Sequence, residues 1–261
     1  MVSQPRAGQN EAEASSPLHL EEAVHSASAD SLQLAASHPA LTDDLALTLL
    51  KRIDLSADCM VALSKNGAVA KYRKVRVGIV AHPRTPRHIS LPLLRVLYNF
   101  DLMQVALMPA VAADLKRAAE EVLLAKLETI SSGQKLSLAR RASGRVAAEL
   151  LLDKETRVMQ AALENPRLTE ASVAKVLVRS NTTSAFVEAV CHHSRWSHAR
   201  DVRVALLRNA KTPLGCALEF ARSLPVRMLR EILQSSRIPK STKECLLRPL
   251  RPSREKPNKG A

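Results

Sequence analysis

Apolar positions in this chain recur at helical spacing, and the same short punctuation interrupts them. Between Lys154 and Glu164, Val158, Ala161 and Ala162 share one helical face. Asn165 and Pro166 then end the run. Asparagine tolerates the left-handed conformation that closes a helix, and proline cannot continue one. Thr169 suits the N-cap of the next stretch, and Glu170 complements the positive end of its dipole. Val173, Val176 and Leu177 supply the next apolar stripe. The device recurs at Asn209 with Thr212-Pro213, at His82 with Thr85-Pro86, and at His38-Pro39 with Thr42-Asp43-Asp44. Asn181-Thr182-Thr183 carries a weaker version. In the Thr-Pro pairs, threonine is expected to cap and proline to take the first helical position. The pattern predicts helix after helix, joined by tight turns.

The punctuation also repeats at long range. Residues 75–86 read Val-Arg-Val-Gly-Ile-Val-Ala-His-Pro-Arg-Thr-Pro, and residues 202–213 read Val-Arg-Val-Ala-Leu-Leu-Arg-Asn-Ala-Lys-Thr-Pro, an offset of 127. The same offset carries His38-Pro39-Ala40-Leu41-Thr42 onto Asn165-Pro166-Arg167-Leu168-Thr169. The match extends roughly over 28–119 against 155–246. An internally duplicated all-α chain, an α-solenoid of short helix–turn–helix repeats, is the expected fold. Its first half would occupy 28–130 and its second, basic half 131–247. Leu123 to Ile130 and Leu136 to Leu152 read as further helices, with Ser131-Ser132-Gly133 as a hinge between them. Residues 1–27, rich in Ser, Ala, Glu, Gln and Pro, read as a disordered tail. Residues 248–261, with Pro249, Pro252 and Pro257 among basic side chains, read as a flexible basic tail.

Composition narrows the class. Apolar residues make up 46% of the chain, yet only three Phe, two Tyr and one Trp are present, and glycine occurs seven times. Leu, Ala and Val without aromatics suit thin helix-on-helix layers better than strands or a globular core. The longest uncharged apolar run, Leu102 to Ala113, is far shorter than the ~20 residues a membrane span needs. Cys59, Cys191, Cys216 and Cys245 form no Cys-x-x-Cys pair and read as reduced thiols of a cytoplasmic protein.

Charge adds a direction. The net charge of +14 lies entirely in residues 131–261, which hold 25 Lys/Arg against 11 Asp/Glu. Residues 1–130 balance 14 against 14, but no acid stands between Asp58 and Asp101, where eight basic residues do. Basic excess attracts nucleic acid, an anionic surface or an acidic protein. Arg200 and Arg203 share a helical face, with Arg208 beyond and Arg195 and Lys211 flanking, and they read as a binding ridge or a solvated face. Arg73, Lys74 and Arg76 occupy comparable ground 127 residues earlier. Arg140 and Arg141 with Arg145 form a third basic set. Trp196 is the sole tryptophan, a candidate to stack a base or anchor a peptide, or else a staple between repeats. Cys191-His192-His193 with His198 is the one cluster of metal-ligand type. It lacks a second ligand pair nearby and reads as ordinary loop and core. No Gly-x-Ser-x-Gly, His-Glu-x-x-His, Gly-x-Gly-x-x-Gly or Walker-type loop is present. No cofactor, metal or catalysis is expected.

The segment Val202-Arg203-x-Ala205-x-x-x-Asn209-x-x-Thr212-Pro213 resembles the core of leucine-rich-repeat variant proteins and of broader HEAT-like bacterial repeats. It departs from them in having Ala210 where proline is usual and His82 where asparagine is usual. It also lacks the clustered N-terminal cysteines that hold an iron–sulfur cluster in one variant. The resemblance implies a right-handed superhelix of short helices used as a binding platform, and it implies no reaction. The function expected is a non-enzymatic scaffold for a protein partner of acidic character. The alternative is sequence-independent nucleic-acid binding through the basic surface of the second half. A HEAT-like DNA glycosylase is a minor alternative, short of the aromatics a lesion grip needs.

Overall fold

The computed structural model describes residues 17–236 and 238–247. Among these residues the chain holds seventeen α-helices and one 3-10 turn, and no strand. No helix there is long and apolar enough to cross a membrane. The chain divides into two compact units between Thr129 and Ile130. The first contains α1 (Pro17–His25), α2 (Ala29–Ser37), α3 (Asp43–Leu50), α4 (Ala57–Lys65), α5 (Arg73–Ala81), α6 (Arg87–Val96), α7 (Asn99–Leu107), α8 (Ala113–Lys126) and the 3-10 turn Leu127–Thr129. The second contains α9 (Ser132–Arg141), α10 (Gly144–Leu150), α11 (Thr156–Leu163), α12 (Glu170–Leu177), α13 (Ser184–His192), α14 (Arg200–Arg208), α15 (Leu214–Arg222), α16 (Val226–Gln234) and α17 (Lys240–Leu247).

Helices this short are marginal in water alone, so their stability comes from packing against neighbours. Within each unit the main helix pairings join an element to the next or to the next but one. In the first unit α1 packs on α2 and α3, α2 on α4, α3 on α5, α5 on α6 and α7, and α6 on α8. In the second, α9 packs on α10 and α11, α10 on α12, α11 on α13, α12 on α14, α14 on α15 and α16, and α15 on α17. The buried side chains are mainly aliphatic, such as Leu49, Leu63 and Ile79 in the first unit and Leu138, Leu150 and Val173 in the second, with Phe186 among the few buried aromatics. Helix starts recur across the units. Pro17 and Gly144, Ala29 and Thr156, Asp43 and Glu170, Ala57 and Ser184, Arg73 and Arg200, Arg87 and Leu214, Asn99 and Val226, and Ala113 and Lys240 each stand 127 apart.

Several sequence expectations need correction. The expected disordered tail over 1–27 contains α1, which buries Leu20 and Val24. Those two residues, four apart, are the helical period that the polar composition around them masked. Residues 1–16 and the expected tail 248–261 lie outside the described residues. Ser131-Ser132-Gly133 is no loop, since Ser131 stands at the N-cap of α9 and Gly133 lies inside that helix. The run Leu136 to Leu152 breaks at Ala142-Ser143, where the Ser143 hydroxyl accepts from the Val146 N–H and opens α10.

The helix-end residues also act differently from expectation. No described non-glycine residue has a positive φ, so Asn165 does not close α11 by a left-handed turn. It is buried instead, and its side chain ties the turn to an earlier one. Asn165 Nδ2 donates to the Ala139 and Ala142 carbonyls at 2.7 and 3.1 Å, and Oδ1 accepts from the Arg167 N–H at 2.8 Å. Asn209 donates to the Leu177 carbonyl and accepts from the Lys211 N–H. Asn66 donates to Ala36 and His38 and accepts from Ala68. His82 serves as well, because its two ring nitrogens match the two ends of an amide. Its Nε2 lies 2.8 Å from the Arg52 carbonyl, and Nδ1 accepts from the Arg84 N–H. Orphan carbonyls at one helix end are thereby satisfied by the punctuation residue of a later one. The threonines divide two tasks. Thr42, Thr169 and Thr183 cap the following helix. Thr85, Thr182 and Thr212 turn back, donating to the carbonyl six residues earlier, on Ile79, Val176 and Leu206. Thr85 and Thr212 are therefore not caps, and Pro86 and Pro213 hold the N-cap positions themselves.

Candidate binding groove

In the first unit, two of the three basic candidates are committed to the fold. Arg73 opens α5 and grips the buried Asp101 of α7 through Nε and Nη2 at 2.8–2.9 Å. The Asp101 hydrogen bond raises the Arg73 guanidinium above its ordinary value. The same guanidinium lies 5.2 Å from the Tyr98 ring. Arg76 Nε donates to the Ala70 carbonyl at 2.7 Å, across the entry to its own helix. Lys74 is exposed.

The second unit repeats half of this arrangement. Arg203 Nε donates to the Ser197 carbonyl at 2.6 Å, as Arg76 does to Ala70. Arg200 stands where Arg73 does, but the counterpart of Asp101 is Met228, whose Sδ lies 3.9 Å from Arg200 Nη2. Arg200 is exposed and has no carboxylate partner among the described residues. Trp196 is 2% exposed, and its indole N–H donates to the Leu163 carbonyl at 2.9 Å. It cannot stack a base or anchor a peptide, and it leaves the set of binding candidates. The Arg195 guanidinium covers it at 4.1 Å and donates to the Leu168 carbonyl. Arg208 is exposed at an open cleft of about 340 Å³, shared with Lys211 and Arg179. Lys211 Nζ donates to the Thr182 carbonyl there, and Arg179 is held bidentately by Glu149 at 2.7 Å. That pairing lowers the Glu149 carboxyl below its ordinary value. Arg141 is exposed, and its carbonyl accepts from Arg167.

The larger cleft, about 870 Å³, runs over α9, α11 and α13. Its polar lining includes Arg140, Arg157, Gln160, Glu164, His192 and His193, and Leu136, Ala161, Leu163 and Ala189 supply apolar surface. Arg140 and Arg157 are exposed and form no ion pair among the described residues. His193 is the most constrained member. Its side chain is 11% exposed, and Nδ1 accepts from the Arg195 N–H at 3.1 Å. In the neutral ring the proton then resides on Nε2. That nitrogen is buried without a hydrogen-bond partner. Glu164 Oε1 lies 3.2 Å away, off the line a hydrogen bond needs. A buried donor left so costs about 1–3 kcal/mol.

Of the basic and aromatic binding candidates only Arg140 joins this groove; His192 and His193, read from the sequence as ordinary loop and core, line it too, and Arg157 and Gln160 were missed. The i, i+3 spacing of Arg157 and Gln160 on the 154–164 run was a legible signal. The groove-lining place of His193 gave none, because Glu164 and the other lining residues that meet it come from earlier turns. Cys191 is buried, and desolvation together with the Cys216 thiol pushes its thiol up to about 12. Among the described residues no group of three or more His, Cys, Asp or Glu side chains converges as a metal site. The arrangement offers cations and hydrogen-bond donors beside apolar surface, which is recognition chemistry. No protein-family model, curated protein or solved structure matches this chain.

Proposed function

We propose that the chain is a right-handed, internally duplicated α-solenoid of the leucine-rich-repeat-variant or HEAT-like kind. In this reading it serves as a non-enzymatic cytoplasmic scaffold for a protein partner of acidic character. Pairing of helices with near neighbours and the 127-residue recurrence of helix starts support the solenoid. The observation that carries the function is the set of unpaired cations in the second unit. Arg140, Arg157, Arg200 and Arg208 have no carboxylate partner among the described residues, whereas Asp101 neutralises Arg73 in the first. Unpaired arginines beside apolar surface suit an acidic protein contact. The test is affinity capture with the full chain against a variant in which these four arginines become Glu, with contacts mapped by cross-linking. The reading expects captured partners that contact the second unit through Asp/Glu-rich segments and are lost with the variant. Capture insensitive to charge reversal sinks it.

A second reading, sequence-independent nucleic-acid binding, is favoured by the basic second half and by one feature of the first unit. Both tyrosines, Tyr72 and Tyr98, are exposed next to Lys71, Arg73 and Lys74. Exposed aromatics beside cations can stack single-stranded bases. Binding to a labelled random duplex and an RNA strand across a salt series tests it, with steep salt weakening as the expected signature. No lining residue of the clefts over α9–α13 or beside Arg208 is Phe, Tyr or Trp, so the glycosylase alternative gains nothing from them.

A further inference from the structure

We infer that the groove across α9, α11 and α13 is the docking site for an acidic peptide segment with apolar anchors, an inference that rests on the scaffold reading above. Five features of the groove select this occupant. Arg140 and Arg157 present unpaired positive charge from α9 and α11, two helices packed on one another. Leu136, Ala161, Leu163 and Ala189 line the same space, and aliphatic side chains are what such a surface accepts. His193 Nε2 is buried there without a hydrogen bond, with Glu164 Oε1 3.2 Å away off its line, and a peptide carbonyl oxygen that displaces the exposed Glu164 carboxylate would complete it. Glu164 shares the lining and is 75% exposed, which repels a continuous run of phosphates but tolerates a peptide whose acids are spaced apart. The groove also lacks any Phe, Tyr or Trp on which a base could stack.

The site is particular to the second unit. One offset of 127 earlier, Asp30 stands where Arg157 does, so the matching surface of α2 carries the opposite charge. An acidic segment is therefore attracted to one unit and repelled by the corresponding position of the other. Aliphatic contacts give such a complex an affinity that survives moderate salt, while the two arginines set its preference for acid.

The test selects ligands from a phage library of short random peptides on the immobilised full chain, then measures a fluorescein-labelled copy of the most enriched sequence by anisotropy. The expected result is enrichment of peptides with Asp or Glu around Leu, Ile, Val or Phe. Arg140→Glu with Arg157→Glu should weaken the labelled peptide at least ~tenfold. Arg208→Glu, at the other cleft, should change it less than ~twofold. Both arginines of the first variant are exposed, and Arg140→Ala with Arg157→Ala gives a second, milder pair, with unchanged circular dichroism required of each. Acidic peptides insensitive to Arg140 and Arg157 but lost in Arg208→Glu would overturn this site and leave the scaffold reading standing. Enrichment of neutral or basic peptides, or no enrichment, would overturn both.

Discussion

Asn165 shows how much one side chain carries in this architecture. Its amide closes two buried carbonyls of the α9–α10 turn and one part-buried N–H, that of Arg167, in its own turn. Truncation leaves those groups unpaired. Asn165→Ala is expected to cost about 3 kcal/mol in urea unfolding. Asn209 satisfies one distant carbonyl and is only half-buried, so Asn209→Ala is expected to cost about 1 kcal/mol in the same assay. Equal losses would refute the assignment. Glu149 adds a pH dependence. Arg179 lowers its folded pKa, so the pair's contribution is complete above the unfolded carboxyl value, near pH ~4.3, and disappears as pH falls through the folded one. Glu149 is 36% exposed, so the contribution is under about 1 kcal/mol. Glu149→Gln should therefore lower stability by under about 1 kcal/mol, evenly between pH 6 and 8, and flatten the acid limb of a stability–pH curve below about pH 4.5. The same scale separates Arg73 from Arg200, identical residues at equivalent helix starts. Only the residue across the packing contact, Asp101 or Met228, decides which one is neutralised.

At the scale of the element, helix ends matter more than helix interiors. Gly144 opens α10 so close to the Arg167 backbone that an added Cβ would collide with the Arg167 carbonyl oxygen. Backbone cannot yield as a flexible side chain does. Gly144→Ala is expected to destabilise by about 1–3 kcal/mol, read as a lower urea midpoint. Gly215, early in α15, has no atom within 4 Å of an added Cβ. Gly215→Ala should raise the midpoint by the equivalent of about 0.5 kcal/mol through helix propensity. A loss at Gly215 would show that its helix start is constrained in a way the packing does not reveal. The two tasks of threonine are also element-scale. Thr182 and Thr183 are adjacent, yet one seals the end of α12 and the other begins α13. Sequence pattern placed the helix ends within a residue or two. It did not say which hydroxyl served which helix, because both bonds have local partners and the turn geometry chooses between them.

For the molecule as a whole, charge is the governing quantity. All of the +14 lies in residues 131–261, whose described helices carry more basic than acidic side chains. Raising salt from about 0.1 to about 1 M shortens the screening length from about 10 to about 3 Å. Calorimetry should then show a rising Tm with sodium chloride, because self-repulsion is screened. Binding of an acidic ligand should weaken over the same range. A falling Tm would mean that ion pairs such as Arg179–Glu149 and Lys135–Asp153 outweigh repulsion.

The sequence by itself determined that the chain is helical, where several of its helices begin and end, and that the punctuation recurs 127 residues on. These are consequences of local chemistry: aliphatic periodicity, capping hydroxyls, proline's missing donor. It misread α1, whose two buried residues are too few to register without the neighbours they pack on. Tertiary structure alone decided which polar groups are spent on the fold and which remain for a partner. The sequence left Trp196 open between a recognition residue and a staple, and Arg203 between a binding ridge and a solvated face; in the structure Trp196 is buried on the Leu163 carbonyl and Arg203 donates to the Ser197 carbonyl at the entry to its own helix. Arg157 drew no notice and His193 read as ordinary loop and core, yet both line the groove over α9, α11 and α13. The reason is physical. A helix's outward face is set by the elements packed one and two places along the chain, and a charge is free or neutralised according to what those elements place opposite it.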